Sequence, residues 1–283
     1  MTLVPSTTLL QEAKDGHYAI GAFNFDGMMD FQGIIAASEE LQIPCLTMAS
    51  QGAVGHCGID YLAAIASTAA KLKTVPFALH LDHGQSFEIA MQAIRAGFTS
   101  VMIDGSKLPY DENVALTRKV VEAAHAAGVV VEGELGRIGG KEDDIDVKDR
   151  DALLTDPDMA VDFVKNTGLD IFAPAIGSSH GFYKGTPQLD FGRLDAIRSR
   201  LPQTYLALHG GTGLSDDDFK QVIQLGITKV NVGTDLKSSF TKRVQAIFQD
   251  DPEVFDTRKY LGPAREAVTE TVKRYMKLFR GLA

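Results

Sequence analysis

Two cysteines in 283 residues, Cys45 and Cys57, are too few for a disulfide framework and fit a reducing compartment. Positive charge is short as well: 28 Lys and Arg against 37 Asp and Glu leave a net charge of −9. No basic stripe is therefore available to neutralise a nucleic-acid backbone. Small anionic ligands are not excluded, since they need only a local pocket. No apolar run approaches the ~20 residues that span a bilayer. The segment Met1–Leu10 lacks the basic start and long apolar core of a signal peptide. These absences lead to the expectation of a cytoplasmic protein with neither nucleic-acid nor membrane partners.

What is present is a regular alternation. Short apolar runs occur at Ala19–Phe25, Ile43–Ala49, Phe77–Leu81, Ser100–Ile103, Val129–Gly133, Ile171–Ile176, Tyr205–Leu208 and Lys229–Val232. Between them lie amphipathic stretches such as Glu112–Ala127, with Val114, Leu116, Val120, Val121, Ala124 and Ala127 at helical spacing. Gly97, Gly128, Gly168 and Gly226 stand where several of these helices should stop. Eight strands, each followed by a helix, predict a (β/α)8 TIM barrel, whose typical length is ~250 residues. The whole chain, residues 1–283, reads as one barrel domain with a C-terminal helical extension. A doubly wound open sheet is the competing α/β arrangement. It needs a Gly-rich dinucleotide turn after the first strand, and Gly21-Ala22-Phe23-Asn24-Phe25-Asp26-Gly27 is not one.

Linkers and low-complexity segments are also missing. The one polar interruption, Arg137 to Arg150, follows the fifth strand, which places it on the catalytic face of a barrel. Its Gly139-Gly140 pair predicts a mobile lid, against the plainer alternative of a solvated acidic loop.

In such a barrel the C-terminal strand ends hold the chemistry. Here they carry Asp82-His83, Asp104, Glu134, His180-Gly181, His209-Gly210-Gly211-Thr212-Gly213 and Asn231-Val232-Gly233-Thr234. A single strand-end histidine is more often a structural hydrogen-bonder than a ligand. Three of them, His83, His180 and His209, together predict an open metal site with one position left for water or substrate. Asp82 offers a proton carrier beside it. The other histidines read as bystanders: His17 precedes the first strand, His125 lies within a helix, and His56 lies in a glycine-flanked loop. His80, three residues before His83, should point to the opposite face of the pleat. The loops after the seventh and eighth strands are the recurrent phosphate position of these barrels, with Gly181 allowing close backbone approach and Lys184 adding charge.

Taken in order, Ala22-Phe23-Asn24, Leu81-Asp82-His83, Glu132-Gly133-Glu134-Leu135-Gly136, Gly139-Gly140-Lys141-Glu142-Asp143, Gly177-Ser178-Ser179-His180-Gly181, Leu208-His209-Gly210-Gly211-Thr212-Gly213 and Asn231-Val232-Gly233-Thr234 resemble the class II, zinc-dependent ketose-bisphosphate aldolases. The likeness runs over essentially the whole chain. It implies that His83, His180 and His209 hold a catalytic Zn2+, with Glu134 and Asp104 serving a second or displaced metal position and a monovalent cation as a further cofactor. It implies Asp82 as the acid that protonates the aldehyde oxygen in condensation, and Glu142 as the group that moves protons at the carbon becoming the enediolate. Gly181, Lys184, Gly210, Gly211, Thr212, Asn231, Gly233 and Thr234 would surround a dihydroxyacetone-phosphate moiety. Asn24 and Ser50 would contact the sugar chain. Arg258 would reach the second phosphate across a subunit interface, in a homodimer or homotetramer to which the tail Gly262–Phe279 offers a surface.

The chemistry agrees with that likeness. Retro-aldol cleavage leaves negative charge on the former carbonyl oxygen, and a Lewis-acidic zinc can carry it. The other route, a lysine Schiff base, needs a desolvated lysine at a strand end, and none stands there. One departure is Gly233, where many fructose-bisphosphate members carry Asp or Asn and tagatose-type members carry a small residue. Fructose 1,6-bisphosphate, tagatose 1,6-bisphosphate and another phosphorylated ketose all stay open at this point. A metal-dependent hydrolase and a non-catalytic sugar-phosphate-binding subunit are the remaining readings; the joint presence of Asp82 and Glu142 favours an active enzyme.

Overall fold

A computed structural model describes residues 2–142, 145–147, 154–181 and 188–282, with only the backbone at 139–142 and 145–147. In chain order the elements are α1 (Ser6–Asp15), β1 (Ile20–Asn24), α2 (Met28–Leu41), β2 (Cys45–Ser50), α3 (Gln51–Cys57), α4 (Ile59–Leu72), β3 (Phe77–Gly84), α5 (Phe87–Ala96), β4 (Ser100–Ile103), α6 (Tyr110–Ala126) and β5 (Val130–Leu135). There follow β6 (Gly139–Glu142), β7 (Ile145–Val147), α7 (Pro157–Thr167), β8 (Ile171–Pro174), β9 (Ser179–His180), α8 (Phe191–Arg200), β10 (Tyr205–Leu208), α9 (Asp216–Gln224), β11 (Ile227–Val232), α10 (Thr234–Asp250) and α11 (Arg258–Phe279).

Eight of these strands close a parallel barrel in the order β1-β11-β10-β8-β5-β4-β3-β2. Each grows from one of the eight apolar runs, so the (β/α)8 barrel read from the sequence is the fold. The four stop glycines, Gly97, Gly128, Gly168 and Gly226, all have positive φ. Both faces of every barrel strand are covered, which is why the runs are continuously apolar rather than alternating.

Alternation still decides what fills the barrel. Ile20, Ala22, Leu46, Met48, Ala78, Val130, Ile171, Ala173 and Ala207 form one apolar cluster with Leu9, Leu10 and Ala13 of α1. The N-terminal helix thus plugs the lower end. One pleat higher, at period two, come His80, Glu132 and Lys229, all fully buried. One pleat higher again come Asn24, Ser50, Asp82, Glu134 and Asn231. The lower barrel is oily and the upper barrel polar, which places the site at the C-terminal end.

Outside the barrel, α11 lies against α2, α9 and β1 and buries Val268, Val272, Tyr275, Met276 and Phe279. Tyr275 and Phe279 stack their edges on Phe219 of α9 at 5.9 and 5.1 Å between ring centres. The apolar stripe of the tail helix is therefore turned onto its own chain, and α10 rests on it with only Leu236 fully buried.

Two local expectations change. Residues 51–57 form α3, capped by the Ser50 hydroxyl, rather than a loop, and His56 is exposed on it. Within 137–150, β6 and β7 form an antiparallel hairpin, and β6 also pairs in parallel with β9, Gly140 opposite His180. The segment is tied by backbone hydrogen bonds to the strand that carries a predicted metal ligand.

Candidate metal centre and catalytic site

His83 reaches the site through an irregularity. The β3–β4 register shifts between Leu81 and Gly84, and His83 takes a left-handed φ of 48°. Without that bulge, adjacent residues of a strand would face opposite ways. With it, Asp82 and His83 both project into the upper barrel, His83 Nε2 lying 3.9 Å from Asp82 Oδ1.

The imidazoles of His83, His180 and His209 converge. Their ring centres are 4.8, 5.1 and 6.0 Å apart and their planes stand at 78–89° to one another. All three residues are buried, and one nitrogen from each lies within 4.8 Å of the others. Gly210 makes room beside them: its φ is +67°, and a Cβ there would meet the Ser179 backbone at 2.6 Å.

The outward nitrogens fix the tautomers. His83 Nδ1 lies 2.9 Å from Asp104 Oδ2, and His209 Nε2 lies 2.7 Å from Glu132 Oε1. An ionised carboxylate only accepts, so in each ring that nitrogen carries the hydrogen and the other presents a lone pair. The two lone-pair nitrogens, His83 Nε2 and His209 Nδ1, face each other at 3.0 Å. Two bare nitrogens at that distance repel unless a cation lies between them. Nitrogens on a tetrahedral zinc at ~2.0–2.1 Å stand ~3.3 Å apart, close to what is found. The donor set fits a zinc ion held by carboxylate-oriented histidines.

Charge balance points the same way. Burial lowers the affinity of His209 for a proton, which favours the neutral, ligating ring. Burial alone would raise the Asp104 carboxyl, but the bond from His83 and those from Ser106 hold it well below the usual range. Glu132 is likewise held low, burial being outweighed by Lys229 and His209. Glu134 moves the other way, pushed well above its ordinary value by burial and by Asp104. Its Oε2 is buried without a hydrogen-bond partner, and His83, Asp104 and Glu134 form a second group spaced for a cation.

Asp82 is held at both oxygens. Asn24 Nδ2 donates to Oδ2 at 2.9 Å and Asn231 Nδ2 donates to Oδ1 at 3.2 Å. Ser50 lies beside β3, opposite Asp82 in the register, and its oxygen accepts from Ala53 N, leaving the hydroxyl hydrogen to donate. Gly210, Gly211 and buried Thr212 follow β10. Gly233 and Thr234 open α10, whose first N–H groups have no capping side chain, as an anion site requires.

Three predicted residues are not among those the structure brings together here. Lys184 and the Glu142 side chain lie outside the described residues, although the Glu142 backbone pairs with Ile145 in the hairpin. Arg258 is exposed and bonded to Asp256. His80 corrects the sequence reading: it points into the barrel, bonding Ser100 Oγ at 2.8 Å and approaching Glu132 at 3.7 Å. Glu132 and Lys229 are given no role in the sequence reading, which places Lys229 only at the start of the eighth run. They sit two residues before Glu134 and Asn231, so strand parity alone could have placed them in the interior.

A (β/α)8 barrel with three converging histidines at its C-terminal mouth, flanked by a pinned aspartate, is an arrangement suited to metal-dependent enzymes. Residues 4–281 match the family model described as fructose-bisphosphate aldolase class-II. A fructose-bisphosphate aldolase of Geobacillus stearothermophilus is 44% identical over 99% of this chain and 97% of its own length. A probable fructose-bisphosphate aldolase of Bacillus subtilis is 46% identical over 99% of this chain and 98% of its own. Among solved structures, the YdjI aldolase of Escherichia coli K12 superposes with a TM-score of 0.87 at 35% identity, covering 98% of this chain and 97% of that one. The chain belongs to the class II fructose-bisphosphate aldolase family, and it is a lyase.

Proposed function

We propose that this protein is a zinc-dependent aldolase that reversibly cleaves a ketose 1,6-bisphosphate, fructose or tagatose, to dihydroxyacetone phosphate and glyceraldehyde 3-phosphate. The observation that carries this reading is the pair of lone-pair nitrogens, His83 Nε2 and His209 Nδ1, facing each other at 3.0 Å beside Asp82. His83, His180 and His209 would hold the metal. When bound, zinc supplies Lewis-acid stabilisation for the negative charge that C–C cleavage leaves on the ketone oxygen.

The chain's own groups do the rest. Asp82, held by two amides, accepts the C4 hydroxyl proton in cleavage and returns it in condensation. Asn24 and Asn231 keep its free lone pairs turned into the site, and Ser50 donates to the sugar chain. Glu142, at the end of β6, moves the proton at the carbon that becomes nucleophilic. Gly210, Gly211, Thr212, Asn231, Gly233 and Thr234, with Gly181 and Lys184, receive the phosphate at the start of α10. Asp104 and Glu134 offer a second or displaced position for a metal, the unpartnered Glu134 oxygen supporting this.

Among the described residues no helix is long and apolar enough to cross a membrane, and both cysteines are free. Likeness to bacterial fructose-bisphosphate aldolases supports a cytoplasmic place in sugar-phosphate metabolism such as glycolysis. Exposed Tyr61, Leu72, Phe248 and Phe255 support a homodimer or homotetramer, in which the exposed Arg258 would serve the second phosphate of a neighbouring copy.

The test is cleavage of fructose 1,6-bisphosphate and tagatose 1,6-bisphosphate side by side, with EDTA and with zinc added back. Cleavage lost to EDTA and restored by zinc is the expected result, and the ratio of rates identifies the preferred epimer. No cleavage of either by zinc-loaded protein would overturn the substrate assignment.

A further inference from the structure

Beneath the histidines lies a lysine that the aldol reaction does not call upon. Lys229, on β11, has a fully buried side chain in the middle of the barrel. Its ammonium donates to Glu132 Oε1 at 3.2 Å and to Asn231 Oδ1 at 2.7 Å, and it stands 2.9 Å from Glu132 Oε2 as an ion pair. With its hydrogens engaged by these acceptors, it is no nucleophile. Each acceptor leads upward to a different part of the site. Glu132 Oε1 takes the Nε2 hydrogen of His209, and Asn231 Nδ2 donates to Asp82 Oδ1.

We infer that Lys229 is a positioning residue that orients the zinc-ligating edge of His209 through Glu132 and the proton-carrying carboxylate of Asp82 through Asn231. A lysine ammonium only donates, so the atom of Asn231 that faces it must be the carbonyl oxygen. That choice turns the amide nitrogen up toward Asp82, which accepts. The hydrogen bond to Oε1 and the ion pair with Oε2 hold the Glu132 carboxylate where Oε1 meets His209 Nε2, so that Nδ1 is left to face the proposed metal position. One buried cation thereby sets the direction of two hydrogen bonds that end on two separate functional groups. Removing it frees the Asn231 amide to flip and the Glu132 carboxylate to rotate.

The inference rests on the reading of His83, His180 and His209 as zinc ligands. Lys229→Met alone leaves Glu132 as an uncompensated buried charge and can fail to fold. The main variant is therefore the charge-neutral double substitution Lys229→Met with Glu132→Gln, in the full-length protein, with Lys229→Arg as the conservative control. Three quantities are read on folded protein of wild-type circular dichroism: the zinc dissociation constant by competition with a chromophoric chelator, the visible spectrum of the Co2+-loaded protein, and kcat and KM for the cleaved ketose bisphosphate at saturating zinc.

The double variant should bind zinc ~10–100-fold more weakly and show an altered Co2+ spectrum. At saturating zinc its kcat should fall ~10²-fold with KM little changed, and Lys229→Arg should recover part of both losses. A filler of the barrel interior would move melting temperature alone. Wild-type zinc affinity, Co2+ spectrum and kcat in the folded double variant would overturn the inference while leaving the aldolase reading intact. A wild-type protein that binds no zinc would overturn both.

Discussion

Gly233 stands so close to Asn24 that a Cβ built on it would lie 2.7 Å from Asn24 Oδ1. The backbone there does not demand glycine, since its φ of −122° suits any residue. Space does. The Asn24 side chain occupies the volume a larger residue would take, and from there its amide holds Asp82 at 2.9 Å. The glycine read from sequence as a departure from fructose-type members is thus part of how Asp82, the proposed proton carrier, is held.

Gly233→Ala should displace the Asn24 amide and loosen Asp82 without touching the histidines. Misplacement of a reacting group by about 1 Å can cost ~10²-fold, so kcat should fall by up to that factor while zinc content stays at wild type. The two bisphosphate epimers differ at C4, whose hydroxyl Asp82 would serve in the proposed mechanism, so the ratio of their kcat/KM values should shift too. Unchanged kcat and an unchanged ratio would remove Gly233 from substrate positioning.

Asp82→Ala deletes the proton carrier but none of the three imidazoles. Turnover should drop ~10²–10⁴-fold, the usual worth of a general acid or base, with zinc retained as measured by atomic absorption. Normal kcat in that variant would take Asp82 out of the mechanism.

His209→Ala removes one ligand and also leaves Glu132 without its hydrogen donor. Zinc stoichiometry should fall toward zero after dialysis, and activity with it. A metal content equal to wild type would sink the ligand assignment.

The thiols differ by burial. Cys45 is fully buried in β2, and burial pushes its thiol up to about 12, leaving it protonated and unreactive at neutral pH. Cys57, on α3, is only partly buried. An aromatic disulfide reagent at pH 8 should therefore titrate one thiol in the native protein and both in denaturant. Two fast thiols in the native state would mean that β2 opens far more readily than its packing implies.

Much of this was legible in the chain. Parallel strands covered on both faces give unbroken apolar runs, so all eight barrel strands could be seen, and polar residues at their ends marked Asp82, His83 and His209. Hydrogen-bonding geometry was harder to read. Strand parity taken from His83 puts His80 on the wrong face, because His83 sits in a left-handed bulge; taken from Asp82, it puts His80 inside. Strands of two to four residues such as β9 and β6 carry no period of their own, so the pairing of Gly140 with His180 had no signature. Lys229 and Glu132 were hidden because a charged residue within an apolar run reads as an edge, and here the charges satisfy one another.

His80 also makes a prediction about stability. Burial, reinforced by the charge of Lys229, lowers its proton affinity to about 3, so the folded protein keeps it neutral. An unfolded chain takes up that proton near ~6.5. The folded-state value is the depressed one for a base, so below pH ~6.5 the unfolded state binds more protons and stability falls as pH falls, until the folded value near 3 is reached. Glu134, raised by its burial, acts in the opposite sense. The difference between wild type and His80→Gln isolates the histidine. Between pH 7 and pH 5 one such group accounts for ~2 kcal/mol. Urea melts of EDTA-treated protein should show wild type losing about that much more stability over this interval than the variant. Parallel losses in the two proteins would mean that His80 takes up its proton in the folded barrel, and that the polar layer beneath the histidines is open to water.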